Sequence, residues 1–213
     1  MMFNKVPDKE IVRAFDISLI LYAEHSFNVS TFTARTITSS LSDLHGAITG
    51  AIASLKGPLH GGANEAVMHM MKEIGKPEKA KAWIENALNK KKVVMGFGLR
   101  VYRTGDSRVP TMKHYMFKVA KLLKKEKYTR MYEILEKVML QRKNIHPNVD
   151  FPSGPTYYMM GIDIDFYTPI FVMSRITGWS AHIMEQHASN KLIRPLSKYR
   201  GAEVREVMLL NQR

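Results

Sequence analysis

The sequence has no cysteine among its 213 residues, which excludes a disulfide framework, a thiolate metal site and a cysteine nucleophile. It also lacks long apolar runs. The longest, at 19–23 and 169–173, are far shorter than the roughly 20 residues that span a membrane. At the N-terminus, no apolar run is followed by a small-residue cleavage site, as a signal peptide would require. We therefore expect a cytoplasmic protein with no membrane partner.

Acidic residues are scarce relative to basic ones, with 19 Asp and Glu against 32 Lys and Arg, so the formal net charge is +13. A charge of this size calls for an anionic partner, and nucleic acid is one candidate. However, the basic residues concentrate at 89–92 and 121–127 beside aliphatic residues. That pattern is more typical of the solvated face of amphipathic helices. A phosphate-rich small molecule such as coenzyme A fits the charge equally well.

Strand-rich regions, internal repeats and low-complexity segments are also missing. Apolar residues recur instead at spacings of three and four, which predicts an all-α fold. The segment 144–161 holds three prolines and two glycines, so we expect a loop with at most short helical turns there. From residue 189 onward the chain is predicted to form an extended arm. The predicted helices cover 8–23, 30–42, 47–55, 64–74, 77–88, 111–125, 130–142 and 167–186.

The eight histidines show no metal-ligand spacing. His182 and His187 are five residues apart and do not share a helix face, and Glu185 between them does not complete a zinc-protease motif. Neither a nucleophile-elbow pattern nor a phosphate-binding loop occurs, so we expect no metal site. The fifteen methionines are predicted to fill the core, among them Met68, Met70 and Met71.

Polar residues interrupt apolar surroundings in four segments, at 24–28, 57–64, 96–108 and 147–150. In the second of these, His60 lies between Gly-Pro and Gly-Gly just before a predicted helix. Glycine allows a ligand to approach the backbone, and a helix N-terminus offers N–H donors to developing negative charge. On spacing alone, a structural and a catalytic role for His60 are equally supported.

Six strings in chain order resemble the motif series of the citrate synthase family. They are FTARTITSS, GPLHGGANE, GFGLRVYRTGDSR, HPNVDFPSG, SRITGWSAHIMEQ and NKLIRPLSKY. The strings GDSRVPTM and IRPLSKY look most like the bacterial 2-methylcitrate synthase and short-type citrate synthase branch. The resemblance runs from about Lys5 to Arg205, and the opening residues look like an internal segment of the family. We therefore expect the C-terminal part of such an enzyme, with an N-terminal helical part absent.

The resemblance implies a large helical domain formed by residues 1–61 and 162–213, and a small domain, 62–161, that closes over coenzyme A. It also implies a homodimer with a shared active site. The expected reaction condenses acetyl-CoA or propionyl-CoA with oxaloacetate to give citrate or 2-methylcitrate. The coenzyme A thioester would be a substrate, and no cofactor would be permanently bound.

The same resemblance implies roles for individual residues. Asp150 would be the base, and His60 would hold the thioester oxygen as the enol forms. Arginines would grip the carboxylates of oxaloacetate, and one of them would reach the partner's site. The oxaloacetate set comprises His25, Arg108 and Arg175, with Arg194 as the arginine that crosses to the partner. The adenine of coenzyme A would lie against Val93, Val94, Met95, Gly96 and Gly98, beside Asn148.

Leu99 departs from the family pattern, which has a histidine there that polarises the oxaloacetate carbonyl. Leucine has no hydrogen-bond donor, so we expect turnover to be lower by roughly 10²–10³. Three hypotheses follow: an acyltransferase impaired at Leu99, an inactive coenzyme A-binding or dimerising paralogue or fragment, and a basic helical nucleic-acid-binding module. The sequence does not distinguish acetyl-CoA from propionyl-CoA, because pocket shape decides between them.

Overall fold

The computed structural model describes residues 6–98 and 105–212, and the regular elements in these ranges are helices. The all-α prediction is therefore confirmed. None of the helices in these ranges is both long and apolar enough to cross a membrane. The α-helices are α1 (Lys9–Ala23), α2 (Val29–Ser39), α3 (Leu44–Leu55), α4 (Ala63–Ile74), α5 (Pro77–Asn89), α6 (Val109–Leu122), α7 (Lys127–Lys143), α8 (Asp150–Met160) and α9 (Tyr167–Ala188), with 3₁₀ turns at Ile164–Phe166 and Leu210–Gln212.

Side-chain caps fix where the first three helices begin. Asp8 accepts a hydrogen bond from the amide of Glu10 (2.8 Å), and Asn28 accepts one from the amide of Thr31 (3.1 Å). Asp43 caps α3 through the amide of Gly46 at 2.7 Å, so this helix begins three residues earlier than its apolar pattern predicts. In each case the cap satisfies a backbone donor that has no partner within the helix.

The prediction of a loop over 144–161 was wrong, because α8 occupies most of that segment. Pro152 is the third residue of this helix, where its missing N–H would have had no intrahelical acceptor. Pro155 lies further inside and removes one backbone hydrogen bond, yet residues 151–157 are all buried. The apolar area buried by this stretch outweighs the lost bond. Tertiary packing therefore determines the conformation here against the local preference.

The helices pack around one continuous apolar core. Helix α9 lies against α1, α2 and α3, while α8 lies against α4 and α6, and α5 pairs with α7. Helix α1 also contacts α6 and α8, so the C-terminal end of α1 and the start of α8 come together. The predicted core methionines are buried as expected, with exposed fractions of 0% for Met68 and Met71 and 7% for Met70.

The chain leaves α9 as an exposed, extended arm, as predicted. Its beginning is attached to the end of α2 through Ser39. The side-chain amide of Asn190 donates to the Ser39 carbonyl oxygen (3.0 Å), and the backbone amide of Ile193 donates to the Ser39 hydroxyl (3.0 Å). These two bonds set the direction in which the arm leaves the helical body.

Candidate active site

Asp150 is the first residue of α8 and lies against the last turns of α1. The hydroxyl of Tyr22 donates a hydrogen bond to its carboxylate (2.6 Å), and its own amide donates to the side-chain oxygen of Asn148 (3.1 Å). Burial raises the pKa of Asp150, although the Tyr22 hydrogen bond and the charge of Arg108 act in the opposite direction. A carboxylate with a raised pKa is a stronger base than an exposed one. The geometry therefore makes Asp150 a candidate proton acceptor.

Asp106 holds the Arg108 guanidinium beside the start of α8. Its carboxylate accepts two hydrogen bonds from that guanidinium, from Nε (2.9 Å) and Nη2 (2.7 Å), and a third from the amide of Val149 (3.0 Å). The Asp106 side chain is fully buried. Burial alone would raise the pKa of Asp106, but the bonds from Arg108 and Val149 lower it overall. One buried carboxylate thus connects Arg108 to the residue that precedes Asp150.

We expect Asp106→Asn to lower the free energy of unfolding by about 3 kcal/mol, because it leaves the largely buried Arg108 charge uncompensated. Since the pKa of Asp106 is lowered on folding, its contribution is present above its unfolded pKa of about 3.9 and is lost as the pH falls through the folded value. Denaturant unfolding at several pH values measures both effects. The exposed pair Arg13–Asp16 supplies the control, since Asp16→Asn should cost less than about 0.5 kcal/mol. Equal losses in the two variants would contradict this account.

Arg175, in the middle of α9, is buried with an exposed fraction of 1%. Its Nε donates to the carbonyl oxygen of Tyr22 (2.6 Å), and its guanidinium lies over the ring of Phe171 at 4.8 Å. Burial and the nearby Arg108 charge lower its pKa to about 10, so it remains protonated at neutral pH. Its Nη1 is buried and has no hydrogen-bond partner within the part of the chain that the structure describes. Such a donor is costly unless an acceptor arrives, so Arg175 is arranged to bind an anion.

His25 lies in the turn between α1 and α2, close to both arginines. Burial lowers the pKa of His25, and the charges of Arg108 and Arg175 lower it further. The side-chain amide of Asn28, which caps α2, donates to the His25 carbonyl oxygen (3.3 Å). The turn therefore places His25 where Arg108 and Arg175 converge.

His60 lies in the glycine-rich turn that precedes α4, as its sequence context predicts. Its Nε2 accepts a hydrogen bond from the amide of Ser30 (3.3 Å) and lies 2.8 Å from the Ser30 hydroxyl. Burial lowers its pKa to about 4, with further contributions from Arg175 and His25, so the ring is neutral at pH 7. Because Nε2 accepts the Ser30 amide, the ring proton is on Nδ1. His60 therefore offers an N–H donor rather than a charge.

The loop at 93–98 lies against residues 146–148, just before α8. Gly98 donates to the carbonyl oxygen of His146 (2.8 Å), and the Asn148 side chain donates to the carbonyl oxygen of Gly98 (3.1 Å). Gly96 has φ +83°, and a Cβ there would lie 2.6 Å from a methyl group of Val67. Only glycine fits this position, which brings the loop backbone against the buried helices. Asn148 thus lies beside the loop, and within the loop Val94 is buried while Val93 is exposed.

Two residues predicted from the motifs are not among those assigned to this cluster, for different reasons. Leu99 lies outside the described residues. Arg194 is exposed on the arm, and within the described ranges no hydrogen bond or ion pair connects it to the other candidates. The remaining candidates, His25, His60, Arg108, Asp150 and Arg175, lie in one connected cluster of hydrogen bonds and mutual charge effects.

Sequence reasoning gave no role to three polar residues that hold the cluster together. The hydroxyl of Tyr22, on α1, donates a hydrogen bond to Asp150. The backbone amide of Ser30, on α2, donates a hydrogen bond to His60. Asp106 stands inside the GDSR string two residues before Arg108, and that i, i+2 acid–base pair was the one available signal.

Comparisons with a family model, with curated proteins and with solved structures agree with one another. The family model described as citrate synthase, C-terminal domain, matches residues 1–196. A citrate synthase of Mycolicibacterium smegmatis is 57% identical over 98% of this chain and 56% of its own length, and 2-methylcitrate synthase 2 of Corynebacterium glutamicum is 59% identical over 95% and 53%. Among solved structures, the ternary complex of carboxymethyl coenzyme A and oxaloacetate with the citrate synthase of Thermoplasma acidophilum has a TM-score of 0.88 at 38% identity, covering 99% of this chain and 57% of that one. The chain spans about half the length of the curated relatives it matches.

Proposed function

The chain belongs to the citrate synthase family, and from that membership we propose that it serves the condensation of a short-chain acyl-CoA, acetyl or propionyl, with oxaloacetate. One observation carries the proposal: a carboxylate with a raised pKa and a neutral histidine both lie close enough to feel the charge of one buried arginine, and this arginine has an unpartnered donor. A condensation of this kind needs a base, a donor to the thioester oxygen and a site for a dianion. The cluster offers all three.

In the proposed reaction, the Asp150 carboxylate removes a proton from the carbon next to the thioester carbonyl. The C–H bonding electrons form the C=C bond of an enolate and the C=O π electrons move to the thioester oxygen, which accepts a hydrogen bond from the Nδ1–H of His60 as it gains electron density. Because the ring is neutral with Nε2 accepting the Ser30 amide, its proton is directed away from Ser30. The enolate carbon then attacks the ketone carbon of oxaloacetate, whose C=O π electrons move to the ketone oxygen, and this oxygen takes a proton from water. A second water molecule hydrolyses the thioester, which releases coenzyme A as the thiol and leaves a carboxylate.

Oxaloacetate would be held by Arg175, Arg108 and His25. The unpartnered Nη1 of Arg175 is the strongest support, since a carboxylate oxygen would satisfy it. Arg108 is oriented by Asp106 through Nε and Nη2, and its Nη1 makes only a long contact (3.4 Å) to the Leu21 carbonyl oxygen. That nitrogen remains available for a second carboxylate contact.

Coenzyme A enters this proposal as the substrate's carrier, with no permanently bound cofactor. The backbone of the loop at 93–98 would receive the adenine, supported by its close position to Asn148 and by the basic residues at 89–92. A homodimer is part of the same proposal. Apolar side chains exposed on α2 and α3 support it, namely Val29, Phe32, Leu44 and Ile52, and Arg194 on the exposed arm would reach the partner's site.

Leu99 favours a second candidate function, in which the chain binds coenzyme A or pairs with a family member without turnover. The family histidine at this position polarises the ketone of oxaloacetate, and leucine offers no donor. This candidate retains ligand binding and loses chemistry. Binding and turnover measured separately therefore distinguish the two candidates.

Calorimetric titration with oxaloacetate tests the binding site that both candidates share. We expect the chain to bind oxaloacetate, and Arg175→Met to weaken binding by about 100-fold because it removes the buried donor to a carboxylate. Arg130→Met is the matched control, since Arg130 is exposed on α7 and should leave affinity unchanged. If the folded Arg175→Met variant bound oxaloacetate as tightly as the parent, the assignment of this cluster to oxaloacetate would be wrong.

A further inference from the structure

His182 lies on α9 in the SAHIMEQ string, which has no role in the proposed reaction, and it joins three elements. Its Nδ1 is 3.0 Å from Nη1 of Arg35 on α2, and its Nε2 is 3.0 Å from a carboxylate oxygen of Glu24 at the end of α1. The His182 and Arg35 side chains are largely buried, with exposed fractions of 14% and 13%. Arg35 also bonds Glu185, one turn further along α9.

The neighbours of His182 select one tautomer. A guanidinium can only donate, so Nδ1 must accept from Arg35 and cannot carry a proton. Nε2 then carries the ring proton and donates it to Glu24. A carboxylate oxygen of Glu185 lies 3.9 Å from Nδ1. The ring of Phe27 lies edge-on to the His182 ring, with 5.5 Å between the ring centroids, and the Arg35 guanidinium carbon lies 5.2 Å from the Phe27 centroid. The imidazole of His182 thus accepts a hydrogen bond from the Arg35 cation and donates one to the Glu24 anion.

Glu24 links His182 to the turn that carries His25. The carboxylate oxygen that accepts from His182 also accepts from the amide of Ser26, a residue with φ +50°. Partial burial alone would raise the pKa of Glu24, but the hydrogen bonds from His182 and Ser26 lower it overall. At its other end the turn is held by Asn28, which bonds the His25 carbonyl oxygen. His25 therefore lies between two anchors, and His182 supports the first of them.

We infer that His182 is a positioning residue: in its Nε2–H tautomer, set by Arg35, it holds Glu24 and thereby fixes the orientation of His25 toward the Arg108–Arg175 region. The effect on oxaloacetate rests on the proposed function, whereas the effect on the turn does not. His182 itself need not touch any ligand. Glu185 contributes only through its bond to Arg35, and the role requires no metal ion.

Three variants test the inference. His182→Leu removes both hydrogen bonds, whereas His182→Gln keeps an acceptor and a donor at nearly the same separation as the two ring nitrogens. His187→Leu is the matched control, because His187 is exposed on the same helix five residues away. The readouts are long-range ¹H–¹⁵N spectra of the histidine rings, assigned from these variants and from a His25 variant, and the dissociation constant for oxaloacetate.

We expect the parent spectrum to show His182 as the Nε2–H tautomer. The His25 ring signals should shift in His182→Leu, return toward the parent in His182→Gln and stay unchanged in His187→Leu. Oxaloacetate affinity should fall by about fivefold to tenfold in His182→Leu alone. An Nδ1–H tautomer, or His25 signals unaffected by His182→Leu, would overturn the inference. If the parent binds no oxaloacetate while the ring signals behave as expected, the proposed substrate is wrong and the positioning role is retained.

Discussion

The Leu99→His variant should release thiol from acyl-CoA in the presence of oxaloacetate about 100-fold faster than the parent chain. Under the proposed function, the family histidine that the resemblance implies at this position would donate a hydrogen bond to the ketone oxygen of oxaloacetate, where negative charge develops as the new C–C bond forms. Leucine has no donor for that oxygen, so under the proposed function the barrier would be higher in the parent chain, while the proposed base and thioester donor would be unchanged. The measurement is thiol release with acetyl-CoA and with propionyl-CoA, each with oxaloacetate, on both proteins.

Leu99→Phe separates the donor from the shape of the side chain. A phenyl ring resembles imidazole in size but offers no hydrogen bond, so this variant should remain at the parent's rate. A gain of the same size in both variants would show that packing, and not the donor, limits turnover. No gain in Leu99→His, with oxaloacetate and coenzyme A still bound, would favour the candidate that binds without turnover. The ratio of rates with the two thioesters also identifies the preferred acyl donor.

Periodicity predicted most of the fold, because helices with one buried face carry that face in the sequence. Helix α9 begins at its predicted residue, Tyr167, and α5 at its predicted Pro77. Helix α8 could not be predicted from periodicity, for two physical reasons. It is buried nearly all round, so it has no polar face to alternate with, and Pro152 and Pro155 mask a segment whose conformation is set by α4 and α6. The division into large and small domains remains a prediction from the resemblance.

The site was predictable as a set of residues but not as a set of bonds. Family motifs brought together His60, Asp150, Arg108 and Arg175 because each lies in its own recognisable string. The hydrogen bond between Tyr22 and Asp150 joins residues 128 positions apart, and that between Arg175 and Tyr22 joins residues 153 apart. No local spacing encodes such pairs. They hold the Asp150 carboxylate and the Arg175 guanidinium in place beside Tyr22, while burial raises the pKa of Asp150.

The Asp150→Asn substitution, made in the Leu99→His background, is expected to lower thiol release by about 10³-fold. The amide is nearly isosteric and can still accept the Tyr22 hydrogen bond, but it cannot take a proton from carbon. Oxaloacetate affinity should change far less than turnover, since no proposed contact to that substrate comes from Asp150. An Asp150→Asn variant that kept most of its turnover would exclude Asp150 as the base.

The same substitution should raise the melting temperature at neutral pH. Burial raises the folded-state pKa of Asp150, so the ionised carboxylate destabilises the fold at every pH above that value. The parent's stability should therefore rise as the pH falls through the folded pKa toward the unfolded value of about 3.9. Asp150→Asn has no such titration, and its advantage over the parent should shrink over the same interval. Asp106 lies near the same helix start, where its carboxylate accepts a hydrogen bond from the amide of Val149. The stability difference between Asp106→Asn and the parent should change with pH in the opposite direction, because the pKa of Asp106 is lowered on folding. If Asp150→Asn were less stable than the parent at pH 7, its carboxylate would be stabilising the fold, and the raised pKa that suits it to act as a base would be wrong.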